Sequence, residues 1–139
     1  MLAVDGSKHS LNAVQFLLEH SGWLRDKPEI DLVTVHLPVP KLPGMGAAVS
    51  QAQVKKYYQE ESERSLADAR KKLDAAGVRY EAYTLVGPVA ETLVKHAKAK
   101  RCALICIGTR GLSELGKALV GSTATKVVHI SDVPVLLVK

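Results

Sequence analysis

Apolar positions along the chain recur at two periods, and the switches between those periods mark five strands and four helices. Leu2 to Val4 is a short apolar stretch that ends at Asp5-Gly6-Ser7, a turn that also suits a helix cap. Ala13, Val14, Leu17 and Leu18 then recur at helical spacing as far as His20, and Gly22 to Pro28 breaks the pattern. Ile30 to Leu37, carrying Val33 and Val35, predicts a second strand that Pro38 and Pro40 end. Pro43, Gly44 and Gly46 make Lys41 to Gly46 a mobile loop. A long helix is expected from about Val49 to Ala76, densely charged between Glu61 and Lys72. Its buried stripe would be Val54, Tyr57, Tyr58, Leu66, Ala69 and Leu73. Gly77 is placed to end it in a left-handed conformation. Val78 to Val86 predicts a third strand, with Tyr80, Ala82, Thr84 and Val86 alternating against Arg79, Glu81 and Tyr83. Gly87-Pro88 opens a third helix whose apolar face is Val89, Leu93, Val94 and Ala97. Ala103 to Ile107 is a fourth, buried strand; a fourth helix follows from Ser122 to Ile130; Val133 to Val138 is a fifth strand.

Such regular alternation implies one α/β domain over residues 1–139, with a parallel sheet and helices on both faces. Ligands of such sheets sit beyond the carboxyl ends of the strands, where the winding reverses. Three turns end there: Asp5-Gly6-Ser7, Leu37-Pro38, and the stretch from Gly108 onward. The last is the most informative. A buried strand stops at Gly108, glycines follow at Gly111, Gly116 and Gly121, and Ser122 and Thr123 lead into a helix. Free backbone N–H groups and the positive helix end then point at one place, which suits an anion such as phosphate.

Composition narrows the field. With 47% hydrophobic and 24% charged residues the chain reads as an ordinary globular protein, and its apolar runs fall far short of the ~20 residues of a membrane span. The N-terminal stretch lacks the charged-then-apolar order of a secretory leader, so a cytoplasmic location is expected. The net charge of +5 raises nucleic acid as a partner, but only 4% of residues are aromatic, which leaves few stacking platforms. The basic run Lys95, Lys98, Lys100, Arg101 lies at a helix C-terminus, where cations complement the dipole. Cys102 and Cys106, four apart on one expected strand, would lie roughly 13 Å apart, too far for a disulfide. They read as buried thiols of a reducing compartment.

Two nucleotide motifs have to be set aside. The dinucleotide fingerprint G-x-G-x-x-G is missing, and the first turn has a single glycine. A phosphate loop nearly appears in GLSELGKA, Gly111 to Ala118, but alanine replaces the hydroxyl that would hold magnesium, and VPVLLVK ends in lysine rather than a magnesium-binding aspartate. The pattern that fits is GTRG, nine residues, then GST. It resembles the G-x-x-G-x9-G-[S/T] signature of the nucleotide-binding universal stress proteins. AVDGSKHS, TVHLPVP, GPVAETLVKHA and DVPVLLVK resemble that family as well, so the likeness covers essentially the whole chain.

The resemblance implies an open doubly wound five-stranded sheet of order 3-2-1-4-5 that binds ATP at the strand ends. On that basis Gly108, Gly111, Gly121 and Ser122 match the positions that hold phosphates through backbone N–H groups, with Thr109, Arg110 and Thr123 in the same loop. Arg110 reads equally as a phosphate partner or a solvated loop charge. Asp5 matches an acidic position near the ribose or the metal-bridged phosphates; its other reading is a turn residue. Leu37 matches the position whose backbone meets the adenine edge, and Ala3 and Val4 line the pocket. Magnesium would arrive on the ATP phosphates near Asp5, and no metal site made of protein ligands is assigned. Relatives carry several more residues before LAVDGS, so a short first strand is expected to weaken the sheet, and Gly116-Lys117 adds a glycine inside the spacer.

His36 reads as a packed strand histidine, and His9 and His129 show no carboxylate or nucleophile partner in the sequence, so no catalytic residue is assigned. The expected function is that of an ATP-binding, homodimeric regulatory module of the stress response, with hydrolysis slow or absent. The alternatives are a nucleotide-free interaction module of the same fold and, less favoured, a slow ATPase. The dimer would form through the apolar edge strand Val133 to Val138, which in the family often pairs with its copy.

Overall fold

A computed structural model of the chain describes residues 1–23, 28–40, 50–111 and 120–139. In chain order it contains β1 (Leu2–Ala3), α1 (Lys8–Glu19), a short 3-10 turn (Ser21–Trp23), β2 (Ile30–His36), α2 (Gln51–Ala75) and β3 (Tyr80–Val86). Then come α3 (Val89–Ala99), β4 (Ile105–Gly108), α4 (Ser122–Ile130) and β5 (Val135–Val138). The strands form one five-stranded parallel sheet of order β3-β2-β1-β4-β5, as the alternation and the family resemblance predict.

The period-two pattern of the strands divides the core. Leu2, Val4, Leu32 and Cys106 face α1 and α2, where Ala13, Val14, Leu66, Ala69 and Leu73 pack against them. Ala3, Val33, Ile105 and Ile107 face the other way, onto Ala90, Leu93 and Ala97 of α3 and Ala124 and Val127 of α4. Each fully buried leucine in these layers contributes about 1.5–3 kcal/mol. Although β1 is only two residues long, it pairs with β2 on one side and β4 on the other. Two further bonds extend those ladders, Val4 N–H to the Val33 carbonyl and Cys106 N–H to the Met1 carbonyl, both 2.9 Å.

Helix ends follow local chemistry. Ser50 and Gln53 form a reciprocal capping box at the start of α2, a signal legible in the sequence as Ser-x-x-Gln. Gly77 ends that helix at φ +62°, its N–H bonding Asp74 and that of Val78 bonding Leu73. The same pair of bonds closes α3, from Arg101 to Lys98 and from Cys102 to Ala97, with Arg101 in the left-handed position at φ +54°. A non-glycine residue there costs about 1–2 kcal/mol.

Several expectations are corrected. On α2 the covered stripe is Ser62, Leu66, Ala69 and Leu73, with Val54 and Tyr58 half-buried, while Tyr57 is 51% exposed. Ser62 was missed because a polar residue does not register in a hydrophobic pattern. On β3 the covered residues are Tyr83 and Leu85 beneath α3, together with Tyr80 on the opposite face; Ala82, Thr84 and Val86 are exposed. An edge strand is covered on part of each face, so strict alternation overstates its inner side. β4 begins at Ile105, two residues later than expected, and Cys102 lies in the turn after α3. Cys102 is half-buried, not buried; Cys106 is buried, and desolvation pushes its thiol up to about 11. β5 begins at Val135 because the Ser131 hydroxyl accepts the Val133 N–H and donates to the Val133 carbonyl, forming a turn there. The expected loop at Lys41 to Gly46 lies outside the described residues.

Candidate functional site

A cavity of about 390 Å³ opens at the carboxyl ends of β1, β2 and β4, on the α3–α4 side of the sheet. Sheet order makes this the place where the winding reverses, between β1 and β4. Ala3, Val4 and Asp5 enter it from the end of β1, and Leu37 from just beyond β2. Gly108, Thr109, Arg110 and Gly111 form the turn after β4, and Gly121, Ser122 and Thr123 the start of α4. Every residue assigned to the nucleotide site from the sequence therefore lines the same cavity. The sequence reading missed Ser10, Val33, Val35, Val89, Leu93, Ile107 and Ala124. Val33, Val35 and Leu37 share one face of an extended chain at i, i+2, i+4, and Val89 and Leu93 share one helical face at i, i+4. Those spacings were the available signal.

The cavity lining has two chemical characters. Val33, Val35, Val89, Leu93 and Ile107 supply apolar surface. Gly121, Ser122, Thr123 and Ala124 supply the N-terminus of α4. Gly121 is its N-cap, in extended conformation and with no side chain to cap the helix, and the first turn contains no acidic residue. By contrast, α1 is capped by the Ser7 side chain and α2 by that of Ser50. The first-turn N–H groups of α4, which have no intrahelical acceptors, therefore open at the cavity together with the positive end of the helix dipole. Two short bonds position this end: Thr109 N–H to the Val138 carbonyl and Gly121 N–H to the Thr109 carbonyl, both 2.7 Å. They pin the turn after β4 to β5 and to the α4 cap at once.

Asp5 is built into a turn. Its Oδ1 accepts the Ser7 N–H at 3.0 Å, and its own N–H reaches Ser10 Oγ at 3.4 Å. The side chain thus shapes the turn, and Asp5 also lines the cavity. The glycines differ in what requires them. A Cβ on Gly108 would fall 2.6 Å from the His9 carbonyl carbon and 2.9 Å from the Ser10 nitrogen, so this glycine lets the first turn of α1 lie against the strand end. A Cβ on Gly111 would fall 2.6 Å from Asp5 Oδ2. At Gly121 a Cβ would meet only ordinary contacts, 3.4 Å and 3.5 Å from Thr109 and Arg110. Residues Leu112 to Leu119, with most of the near phosphate loop and the Gly116-Lys117 pair, lie outside the described residues.

The remaining candidates are structural. His36 packs at the end of β2 with Nε2 2.9 Å from Ser62 Oγ, and burial lowers its pKa, opposed by the charge of Glu61. His9 sits half-buried in the first turn of α1, and His129 lies exposed near the end of α4. Within the basic run, Lys98 pairs with Asp132 at 3.2 Å and Lys100 with Glu81 at 4.0 Å, and Lys100 also lies over the Tyr83 ring. Its positive charge is thus partly met inside the protein. Among the described residues, no helix is long and apolar enough to cross a membrane and no cluster of three metal-ligating side chains occurs.

Known proteins are similar in sequence and share the fold. The chain is 27% identical to universal stress protein YxiE of Bacillus subtilis over 147 residues, covering 100% of this chain and 97% of that one. It is 31% identical over 140 residues to a universal stress protein of Thermus aquaticus, covering 100% and 96%. The solved structure of MJ0577, a protein of Methanocaldococcus jannaschii, superposes with a TM-score of 0.80 at 24% identity, covering 99% of this chain and 92% of that one. Structures of the same fold include a universal stress protein in complex with cAMP, one from Archaeoglobus fulgidus in complex with dAMP, and one from Arabidopsis thaliana with AMP bound, with TM-scores of 0.65, 0.64 and 0.66 at 24%, 23% and 20% identity. The sequence profile of the universal stress protein family matches residues 1–139 from end to end, and the chain belongs to that family.

Proposed function

We propose that this protein binds an adenine nucleotide, ATP with Mg²⁺ on its phosphates, in the cavity between β1 and β4, and acts as a homodimeric regulatory module of the stress response. One observation carries the reading: a helix N-terminus with no side-chain cap lines the same cavity as a set of apolar side chains. A nucleotide needs both, apolar surface for a flat base and a helix N-terminus for anionic phosphates. Support comes from relatives of the same fold that hold cAMP, dAMP or AMP.

In this assignment Ser122, Thr123, Gly111 and Gly121 meet the phosphates through backbone N–H groups, and Thr109 and Arg110 shape the rim. Gly108 allows the close approach of α1, and Asp5 stands near the ribose and the magnesium. Ala3, Val4 and Leu37 border the base. Asp5 is already committed through Oδ1 to its turn, which leaves it a poor base for activating water. The protein is accordingly a binder, with ATP hydrolysis slow or absent. Its two free cysteines suit the cytoplasm. Calorimetric titration with ATP and magnesium should give one saturable site per chain. Undetectable heat at millimolar ATP would overturn the assignment and favour a nucleotide-free module.

The dimer belongs to the same proposal. β5 is the last strand of the sheet, and Val135, Leu136 and Leu137 on it are only half covered. Pairing with a second β5 would satisfy that edge, Pro134 removing a single donor. Sedimentation should show a dimer at micromolar concentration, and a monomer at high micromolar concentration would count against it.

A further inference from the structure

We infer that Tyr58 sets the preference of the cavity for an amino-bearing purine over an oxo-bearing one. The inference rests on the nucleotide reading above and concerns how the apolar part of the lining receives a base. Val33, Val35, Val89, Leu93 and Ile107 offer it no side-chain donor or acceptor. A base lying there must be read by backbone, and the backbone that runs on past the end of β2 is that of Leu37. Leu37 lines the cavity and is 66% exposed, so its main chain is not covered by packing.

That main chain is held from α2. The Tyr58 hydroxyl accepts the Val39 N–H at 2.8 Å and donates to the Leu37 carbonyl at 3.3 Å. One side chain therefore bridges the two backbone groups that flank Pro38 and fixes which way the Leu37 carbonyl faces. The helix turn that carries Tyr58 is tied to the end of β2 through Ser62. The Ser62 hydroxyl donates to the Tyr58 carbonyl at 2.6 Å, and His36 reaches Ser62 through Nε2 at 2.9 Å. Because the Ser62 proton is committed to Tyr58, Nε2 of His36 must be the donor in that contact. The His36 and Tyr58 rings lie 5.9 Å apart, which steadies the ring as well as the hydroxyl.

A carbonyl has two lone pairs, and Tyr58 occupies one of them. The other suits the 6-amino group of adenine, which donates. A 6-oxo purine would set oxygen against oxygen at this point and leave a desolvated acceptor unmet. Without the tyrosine hydroxyl, the Leu37–Val39 segment can rotate to present a donor instead, and the distinction fades. Tyr58 is thus a positioning residue: it acts on the ligand through Leu37.

The test compares ATP and ITP, which differ at position 6 of the purine, with inorganic tripolyphosphate as a ligand that has no base. Each is titrated in magnesium into the unmodified protein and into Tyr58→Phe, which keeps the ring against His36. The unmodified protein should prefer ATP to ITP by about ten-fold, the effect of one unmet hydrogen bond. In Tyr58→Phe that ratio should fall to within about two-fold, while tripolyphosphate affinity stays the same. An unchanged ATP-to-ITP ratio in the variant, or equal weakening of both nucleotides, overturns the role of Tyr58 and leaves the site assignment standing. Failure of the unmodified protein to bind ATP at all overturns both.

Discussion

Gly121→Val should fold normally and lose at least about 100-fold in affinity for ATP. Gly121 has φ −71° in extended conformation, which any residue adopts, and a Cβ there meets the Thr109 carbonyl and the Arg110 Cα at 3.4 Å and 3.5 Å. The local cost is that of a poor N-cap, about 1 kcal/mol or less. The valine methyls, however, reach past Cβ to the lip of the α4 N-terminus, where phosphate would approach the N–H groups. Hydrogen bonds to a charged group are worth about 1.5–3 kcal/mol each, so displacing one or two accounts for a loss of about 2.7 kcal/mol, the equivalent of 100-fold. Calorimetry beside a thermal melt separates the two effects. A variant that melts like the parent yet binds ATP equally well would show that the phosphates lie elsewhere.

Gly108→Ala should do the opposite, costing stability of about 3 kcal/mol and a melting shift on the order of 10 °C. Its Cβ would fall 2.6 Å from the His9 carbonyl carbon, 2.7 Å from the His9 oxygen and 2.9 Å from the Ser10 nitrogen. All three are backbone atoms, so no side chain can swing aside. α1 is fixed there by Leu11 N–H on the Ser7 carbonyl and by two bonds that Ser10 donates to Ser7, from its N–H to Oγ and from its hydroxyl to the carbonyl. β4 is equally fixed, paired to β1 on one side and β5 on the other. Denaturant unfolding measures the loss, and a change below about 1 kcal/mol would mean that α1 can retreat. A weakened ligand response in this variant would report packing, so Gly121 is the better probe of phosphate contact.

The contrast between these two glycines shows what the sequence could and could not convey. As letters they are equivalent members of one motif. Their roles separate only when α1, nearly a hundred residues earlier in the chain, is seen resting on Gly108 while nothing presses on Gly121. Long-range packing of this kind has no local signature. Much else was local and therefore legible: two periods of hydrophobicity located the five strands and four α-helices among the described residues, and Gly77 ended α2 where the left-handed turn was expected. The apolar lining was not recognised, because Val33 and Leu93 look like ordinary core residues until the sheet order sets them around one space. Ser62 escaped for the reverse reason. It is polar and buried, its hydroxyl bonded to the Tyr58 carbonyl one turn back and met by His36, and only the packing of α2 on β2 creates the second contact. Edge strand β3 misled for a third reason, since its partial cover depends on α3 and not on its own alternation.

The central claim is that phosphate groups dock on the first turn of α4 while a purine lies against the end of β2. Amide-resolved NMR during titration with ATP and magnesium tests it most directly. The largest shifts should fall on the backbone N–H groups of Ser122, Thr123, Ala124 and Gly111, with a second group at Leu37, all saturating at one equivalent per chain. Silence at these amides at millimolar ATP, or shifts gathered instead around Lys98 and Arg101 at the end of α3, would contradict it.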